Sequence, residues 1–230
     1  MKVLELFAGS RSIGKIAESK DHKVFSVDWV PYEGVNLSKD IGTLGQSDIP
    51  FVPDMVWASP DCATYSILAV RHHRNGIIPK TIYAKKCDSV NCHFISLIKS
   101  YLKINPKLVF FIENPRGMMR KMPFMQEFKR HTVWYCQYGH QCAKPTDIWT
   151  NSTVWVPREP CHNGNTKCDH LRVPRGTSGG IQALKNSFER SKLPESLCLE
   201  VIQAAAKEQK QKKLPFVETN KSAPLLRKAA

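Results

Sequence analysis

A cysteine closely follows an apolar segment in the stretch Trp57-Ala58-Ser59-Pro60-Asp61-Cys62. The residues around its start, Asp54 to Ala58, have the composition of a short buried strand. Open α/β sheets bind their ligands beyond the carboxyl ends of the strands, and a thiol on a stiff turn at that place is a candidate nucleophile. Taken alone, a cysteine is more often a small packing residue, so Cys62 needs support from other residues.

A polar pair ends the next apolar segment of the chain. Lys107 to Ile112 is predicted to be another buried strand, and Glu113-Asn114-Pro115 follows it directly. A carboxyl group at such a strand end can act as an acid or a hydrogen-bond donor when burial keeps it protonated. The alternatives are ordinary: Glu113 could support a helix N-terminus, and Asn114 could be a turn residue before the proline.

Small residues follow the first predicted strand, Lys2 to Phe7, in the turn Ala8-Gly9-Ser10-Arg11-Ser12. A helix is predicted from Ile13 to Ser19, with Ser12 as its N-cap. A tight strand-to-helix turn lets the backbone approach a ligand, and the helix N-terminus offers N–H groups to a carboxylate or phosphate. With only Gly9 and Gly14 as glycines, the segment is equally compatible with a plain tight turn.

Acidic residues lie at the ends of the next two predicted strands. Val24 to Asp28 is predicted as the second strand, and an acid at this tip commonly holds a ribose hydroxyl pair. Asn36 to Ile41 is a weaker third strand, where Asp40 could reach an adenine amino group. Either acid could instead cap a loop.

These motifs together resemble those of the DNA cytosine-5 methyltransferases. The residues concerned are Leu4-Glu5-Leu6-Phe7-Ala8-Gly9, Ser59-Pro60-Asp61-Cys62 and Phe111-Ile112-Glu113-Asn114-Pro115, in the family's order of cofactor turn, nucleophile loop and Glu-Asn pair. The similarity is closest to small members encoded by phages and prophages. It continues through Tyr135 to Gly139, Lys144 to Trp149 and Leu193 to Leu197, and so covers most of residues 1 to 200.

The resemblance implies an α/β fold of the Rossmann-like class I methyltransferase type, with a mostly parallel, doubly wound sheet and a short irregular recognition insert. It also implies methyl transfer from S-adenosylmethionine to carbon 5 of cytosine in double-stranded DNA. Carbon 5 is a poor nucleophile until a thiolate adds to carbon 6 and converts the ring to an enamine. Cys62 would be that thiolate, protonated Glu113 would donate to ring nitrogen 3, and Asn114 would orient the loop. Lys144 or Arg116 would hold a phosphate or shield the developing charge.

The implied cofactor site is formed by the first turn and by the ends of the following strands. Its residues are Phe7, Ala8, Gly9, Ser10, Asp28, Trp29, Asp40, Ile41 and Pro60.

Four positions depart from the family pattern. Arg11 stands where glycine is common, Asp61 and Pro115 replace a proline and a valine, and Lys144 stands where the family commonly has arginine. None of these changes removes a reacting group, so we expect activity.

A base inside a duplex hides carbon 6, so the enzyme must flip the cytosine out at a cost of a few kcal/mol. Basic residues after the nucleophile loop and in the later insert are candidate DNA contacts, although they could equally form a solvated surface. They are Arg71, His72 and Arg74 with the neighbouring His73, then Arg116, Arg172 and Arg175. We expect residues 157 to 186 to form the target-recognition region.

Candidate metal ligands are concentrated in that insert. Cys161-His162 and Cys168-Asp169-His170 have thiols and imidazoles at a density that suits tetrahedral zinc. The spacing is not that of a standard zinc finger, and adjacent residues rarely bind one ion. The favoured prediction is therefore a metal-free reduced loop, with Cys161, Cys168 and His170 as the zinc alternative. The remaining cysteines, including Cys136, are predicted to be core or surface thiols.

Composition limits the class of protein. The 230-residue chain has a formal net charge of +14, from 34 Lys and Arg against 20 Asp and Glu, which favours a polyanionic partner. Its eight cysteines are scattered in a chain too long to need a disulfide framework, and no secretion signal or membrane span is evident. We therefore expect a cytoplasmic monomer, in a bacterial host cell if the gene belongs to a phage, that binds double-stranded DNA and no membrane.

The predicted organisation has four parts: a catalytic domain over residues 1–156, the insert over 157–186, a C-terminal helix over 187–210 and a basic tail over 211–230. Tyr83 to Leu102 is predicted as a long helix, Thr132 to Cys136 and Thr153 to Val156 as strands, and Pro194 to Glu208 as a helix. Three other functions stay open: an RNA cytosine-5 methyltransferase, a catalytically inactive DNA-binding relative, and an enzyme that modifies a free nucleotide. The high positive charge argues against the last.

Overall fold

The computed structural model describes residues 1–162, 164–172 and 187–211. Its first half alternates strands and helices: β1 Lys2–Leu6, α1 Ser12–Glu18, β2 Lys23–Asp28, β3 Leu37–Ser38 and β4 Met55–Ala58. β1 is buried from its second residue onward and β4 along its whole length, as expected for strands covered on both faces.

The second half begins with the segment that follows β4. It contains a short helix and a small hairpin before a long helix that starts at a threonine cap, since the Thr81 side chain accepts a hydrogen bond from the Ala84 N–H. The elements are α2 Val70–His73, β5 Arg74–Asn75, β6 Ile78–Pro79, α3 Ile82–Ile104, β7 Val109–Pro115, β8 Arg130–Trp134, β9 Pro145–Thr150, α4 Ser187–Ser191 and α5 Glu195–Gln211.

The main sheet has the strand order β3-β2-β1-β4-β7-β9-β8. β1 pairs in parallel with β2 and β4, and β4 pairs in parallel with β7, whereas β9 runs antiparallel between β7 and β8. The chain starts at β1 in the middle of the sheet, moves outward to β3, and then crosses back to β4 on the other side of β1. The predicted mostly parallel sheet is confirmed.

Helices cover both faces of the sheet. On one face, α3 packs Phe94, Ile98 and other apolar side chains against Leu4, Val56 and further strand residues. On the other face, α1 and α5 pack residues such as Ile13 and Val201 into a second core. These two cores make the fold doubly wound, as predicted.

The structure corrects the predicted start of α1. Arg11, in the left-handed region at φ 56°, is the N-cap, and Ser12 is the first helical residue. The Ser12 hydroxyl lies 2.8 Å from that of Ser10 and accepts a hydrogen bond from the Leu193 N–H, so it does not cap the helix.

Three strand predictions also need correction. The strand predicted to end at Ile112 runs through Glu113 to Pro115, because β9 pairs with those residues. The third strand is only Leu37–Ser38, since the Asp40 carboxylate accepts the Gly42 N–H and starts a 3₁₀ turn. Thr153 to Val156 is not a strand, because the Ser152 hydroxyl accepts the N–H groups of the two residues that follow Thr153.

The C-terminal part of the described chain returns to the catalytic domain. Near the end of α5, the Gln209 amide donates to the carbonyls of Asp54 and Lys107 at 2.9 Å and 2.7 Å and so joins the helix to the start of two central strands. Most of the predicted tail over 211–230, and residues 173–186 of the insert, lie outside the described residues. Within the described ranges, no helix combines the length and the apolar character that crossing a membrane requires.

Candidate active site

The first turn and the nucleophile loop flank the point where the strand order reverses. β1 and β4 are neighbours in the sheet, and their successors leave in opposite directions, to β2 and to β7. In open α/β sheets this arrangement opens a crevice beyond the carboxyl ends of the two strands. The predicted cofactor and catalytic motifs therefore lie on the two sides of one crevice.

Cys62 lies in the loop after β4 and begins a 3₁₀ turn, Ala63–Tyr65. Its side chain is half-buried. Burial, and after it the carboxyl groups of Glu113 and Asp61, raise the pKa of the thiol to about 11, and Lys144 opposes them. The thiol is thus protonated at neutral pH until a positive charge or a bound ring changes its surroundings.

Glu113 is buried in β7, and burial raises the pKa of its carboxyl group. The Tyr135 hydroxyl donates to Glu113 Oε1 at 2.9 Å, which fixes one oxygen of the carboxyl group. A buried carboxyl with a raised pKa can hold a proton and donate it, which is the state that the sequence prediction required.

Asn114 joins the two motifs. Its amide Nδ2 donates to the carbonyl of Pro60 at 2.9 Å, two residues before Cys62 in the nucleophile loop. The side chain is fully buried, and its Oδ1 has no hydrogen-bond partner in the structure. The predicted role of Asn114 in orienting the loop therefore has a direct contact behind it.

Lys144 is buried near Glu113 and Cys62. It donates to the Arg190 carbonyl at 2.6 Å and lies 4.6 Å from the centre of the Tyr135 ring. Burial lowers the pKa of Lys144, while Glu113 and Cys62 favour its charged form. Its backbone has φ 28°, a strained value for a residue other than glycine and one typical of functional sites.

The first turn is tied to the end of β2. The two oxygens of the Asp28 carboxylate accept the N–H groups of Gly9 and Val30, each at 2.9 Å. Gly9 needs its freedom here, because its φ is +49°. Ionised carboxylate oxygens have further lone pairs, so Asp28 keeps acceptor capacity for a ribose hydroxyl.

Glu5, in β1, is a residue beside this turn whose role the sequence prediction missed. It is buried, and its Oε1 accepts the N–H groups of Ile13 and Gly14 at 3.1 Å and 3.0 Å. The N-terminus of α1 therefore already has a carboxylate from the protein at these two groups, which corrects the prediction that they serve a ligand. A single acid within the apolar strand Lys2–Leu6 was the available signal.

Arg11 occupies the position where the similar family commonly has glycine, and the structure shows how the larger side chain is accommodated. Its side chain is buried, donates to the Ser26 hydroxyl at 3.0 Å and pairs with Glu18. The guanidinium lies close to Gly34, where an added Cβ would come within 2.6 Å of it. The Arg11 side chain is thus held in a buried site of its own by Ser26 and Glu18.

The other predicted cofactor residues differ in accessibility. Trp29, next to Asp28, is 74% exposed. Asp40 caps a turn and pairs with Lys86 at 2.9 Å, and Lys86 lowers the pKa of its carboxyl group. Ile41 is packed in the core, so only its backbone could meet a ligand. The remaining residues, Phe7, Ala8, Ser10 and Pro60, lie in the first turn and the nucleophile loop.

The prediction that Arg74 contacts DNA is wrong. Its side chain is fully buried and pairs with Asp88 through two nitrogens, at 2.9 Å and 2.7 Å. It also donates to the carbonyl of Thr64 and stacks 4.2 Å from the centre of the Tyr65 ring. Arg74 therefore anchors the nucleophile loop to α3, and its buried guanidinium is not available to a DNA phosphate.

Other basic residues predicted to contact DNA are exposed. Arg71, His72 and Arg116 lie on the surface. Arg172 is exposed too, but its guanidinium donates to the carbonyls of Asn165 and Cys168 and braces its own loop. Arg175 lies outside the described residues.

The loop between Cys62 and α3 also exposes apolar side chains that the prediction did not include. Ile67 is 69% exposed and Leu68 89% exposed. They form a small exposed apolar surface on the loop that bears Cys62.

The candidate metal ligands of the insert lie close together. Cys161, Cys168 and His170 converge, and the fourth member of the group is Cys136, which was predicted to be a core or surface thiol. His162 is not part of the group. Cys136 was missed because it lies 25 positions before Cys161 in another element.

Comparisons with known proteins agree with this geometry. No protein-family model matches the chain. A Frog virus 3 (isolate Goorha) protein with the name "Probable DNA (cytosine-5)-methyltransferase" is 25% identical over 231 residues, covering 88% of this chain and 99% of the relative. The solved structure of the Entamoeba histolytica methyltransferase EhMeth matches with a TM-score of 0.51 at 16% identity, over 70% of this chain and 56% of that one.

The chain thus spans little more than half the length of that solved structure. The structural match confirms the predicted Rossmann-like class I methyltransferase fold. The similarity to the viral protein confirms the predicted resemblance to DNA cytosine-5 methyltransferases.

Proposed function

We propose that this chain is a DNA (cytosine-5)-methyltransferase that transfers a methyl group from S-adenosylmethionine to cytosine in double-stranded DNA. The observation that carries the proposal is the joining of two motifs. Asn114 holds the backbone of the loop that bears Cys62, and its neighbour Glu113 is a buried acid with a raised pKa. Addition to a pyrimidine requires a thiol and a protonated carboxyl group close to each other. The name of the viral relative supports the same activity.

The first turn fits S-adenosylmethionine. Asp28 is the group for the ribose hydroxyls, and the exposed indole of Trp29 beside it offers a flat face for the adenine ring. The bare backbone at Gly9 permits close approach of the amino acid part. When bound, the cofactor supplies an electrophilic methyl group and a positive sulfonium charge.

Cys62 is the proposed nucleophile. Cys62 gives its proton to solvent and attacks as the thiolate. As its sulfur bonds to carbon 6 of the cytosine, electron density moves towards ring nitrogen 3, and Glu113 donates its proton there. After carbon 5 has been methylated, water takes the hydrogen of that carbon as a proton, ring nitrogen 3 returns its proton to Glu113, and the bond between sulfur and carbon 6 breaks. Cys62 leaves as the thiolate and Glu113 is again protonated, so both residues act catalytically.

Lys144 is the proposed electrostatic partner. Among the charged side chains that shift the pKa of Cys62, the Lys144 ammonium lowers it and so favours the thiolate. Its fixed position beside Glu113 and Tyr135 means that no reorganisation is needed when negative charge develops on the ring.

The loop from Cys62 to α3 is the proposed contact with DNA. Ile67 and Leu68 are apolar side chains that could enter the base stack vacated by a flipped cytosine. Arg71 and His72 lie in the adjacent helix α2 and would meet phosphates. The net charge of +14 supports a polyanionic substrate, and we propose that the protein binds it as a monomer.

The test is a methyl-transfer assay with a radiolabelled methyl group on the cofactor. Random-sequence duplex DNA, the same DNA as single strands, transfer RNA and free cytidine nucleotides are supplied in parallel, and the products are digested to nucleosides. We expect label in 5-methyldeoxycytidine from the duplex. Cys62→Ser should abolish the label, whereas Cys92→Ser, which changes an exposed thiol of α3, should retain it.

Each alternative predicts a different result. Label confined to RNA or to free nucleotides would replace the proposed substrate. Binding of DNA without any label, together with no cofactor binding by calorimetry, would indicate an inactive DNA-binding relative.

A further inference from the structure

Four metal-binding side chains from separate parts of the chain converge outside the active site. Cys136 belongs to the 3₁₀ turn Tyr135–Tyr138 that follows β8, whereas Cys161, Cys168 and His170 belong to the described part of the insert. One ligand atom from each residue lies within 4.8 Å of all the others. We propose that these four residues bind a structural zinc ion that fastens the insert to the catalytic domain.

The donor set is that of a closed structural zinc site. Three thiolates and one imidazole are a standard tetrahedral combination, with zinc–sulfur distances of about 2.3 Å. Ligand atoms at the corners of such a tetrahedron are about 3.8 Å apart. Cys161 Sγ and His170 Nδ1 are already separated by 3.8 Å. The longer separations in the group need only small side-chain movements to close on one ion.

Side-chain amides point at the sulfur atoms. The Asn165 amide donates to Cys161 Sγ at 3.4 Å, and the Gln137 amide donates to Cys168 Sγ at 3.6 Å and to Cys136 Sγ at 3.8 Å. Zinc-bound thiolates are commonly supported by such donors, which stabilise their negative charge and fix their direction. All three sulfur atoms of the group therefore have a donor.

The segment needs a fastening of this kind. Between Pro160 and Arg172 the buried side chains among the described residues are Cys161 and His170, both members of the group. A loop with so little apolar core gains stability mainly from a metal or a disulfide. A disulfide would use only two of the three sulfur atoms of the group, and none of the described cysteines is in a disulfide.

The insert also contacts the segment just before β9. Leu171, directly after His170, donates its N–H to the Gln141 carbonyl at 2.7 Å and forms a bridge with Cys142. The ion would hold the insert against Cys136, and the Leu171 contacts hold it against the other end of the same loop, at Gln141 and Cys142.

The first test uses the full chain as purified. Elemental analysis should find about one zinc per chain, and thiol titration in denaturant should find all eight cysteines reduced. Cobalt added to the metal-free protein should give the intense ligand-field bands of a tetrahedral thiolate site. Less than one tenth of an equivalent of zinc, with no such cobalt spectrum, would overturn the proposal, as would a disulfide within the group.

Variants assign the ligands. Cys168→Ser should lose most of the zinc, and Cys92→Ser should keep it. His170→Cys should also keep the metal, with the cobalt spectrum shifted towards that of four thiolates, because four cysteines form an equally common zinc site. Full zinc content in Cys168→Ser would contradict the assignment, and if that variant does not fold, the spectrum of His170→Cys decides.

Discussion

Asp61 distinguishes this nucleophile loop from the usual Pro-Pro-Cys sequence. Its Oδ1 accepts the Ala63 N–H at 2.7 Å, and its Oδ2 accepts the Tyr83 hydroxyl. The carboxylate therefore shapes the turn that presents Cys62, but it also contributes a negative charge that raises the pKa of the thiol. The residue helps the geometry and opposes the formation of thiolate.

Asp61→Asn should separate these two effects. The amide keeps an oxygen acceptor for the turn and removes the charge, so the pKa of Cys62 should fall below its value of about 11. The measurement is the pH dependence of alkylation at Cys62, followed by peptide mass spectrometry. The midpoint should move to lower pH, and an unchanged midpoint would show that Asp61 does not act on the thiol.

Tyr135 is a positioning residue for Glu113. Its hydroxyl lowers the pKa of that carboxyl group from a value that burial has raised. Tyr135→Phe should reduce kcat about tenfold, since a hydrogen bond of about 1.4 kcal/mol is lost from the transition state. Because the pKa of Glu113 should rise further, the alkaline limb of the pH–rate profile should move to higher pH. A lower rate with an unmoved profile would indicate only a packing defect.

At the scale of elements, the nucleophile loop is held by α3 rather than by its own sequence. Arg74, Asp88 and Tyr65 form the connection, with the Tyr65 hydroxyl donating to Asp88 at 2.6 Å. Arg71, three residues before Arg74, has no such burial. The two arginines form a matched pair for separating anchoring from DNA binding.

Arg74→Ala should leave Asp88 without its positively charged partner at a cost of about 3 kcal/mol, and so lower Tm by roughly 6–12 °C. Arg71→Ala should leave Tm unchanged, weaken DNA binding and reduce the slope of log affinity against log salt by about one. Calorimetry and fluorescence anisotropy measure these quantities. If Arg71→Ala lowers Tm as much as Arg74→Ala, the proposed division is wrong.

Gly117 marks the closest approach of two elements at the site. A Cβ at this position would lie 2.4 Å from the Tyr65 carbonyl oxygen, so a side chain must displace the nucleophile loop. Gly117→Ala should reduce both Tm and the methyl-transfer rate. Gly45→Ala is the control, because its nearest atom would lie at an ordinary 3.5 Å. Equal behaviour of the two variants would contradict the close packing of these loops.

At the scale of the whole molecule, local sequence pattern predicted the central strands well. β1, β2 and β4 are apolar runs that end at small or polar residues, and the structure places them within one or two residues of the prediction. β9 was not predicted as a strand from its pattern, because its buried Thr146 and Asp147 look polar in sequence. Asp147 is acceptable there because Arg120 and Thr132 donate to it.

Long-range partners explain the other differences. The resemblance to the DNA cytosine-5 methyltransferases led to the grouping of Cys62, Glu113 and Asn114, which the Asn114 contact supports. Arg74 looked like a surface residue because its partner lies on α3, and Cys136 looked isolated because its neighbours are in the insert. A partner on a different element leaves no spacing pattern in the sequence.

The most direct measurement is covalent capture of the enzyme on DNA. In a random-sequence duplex containing 5-fluorocytosine, the fluorine cannot leave carbon 5 as a proton does, so the bond between sulfur and carbon 6 should persist after methyl transfer. We predict a denaturation-resistant protein–DNA adduct, dependent on S-adenosylmethionine, whose peptide map places the ring on Cys62. The adduct should form with Cys92→Ser and be absent with Cys62→Ser. An adduct of equal yield in Cys62→Ser, or methylation of ordinary DNA without any adduct, would contradict the proposed mechanism.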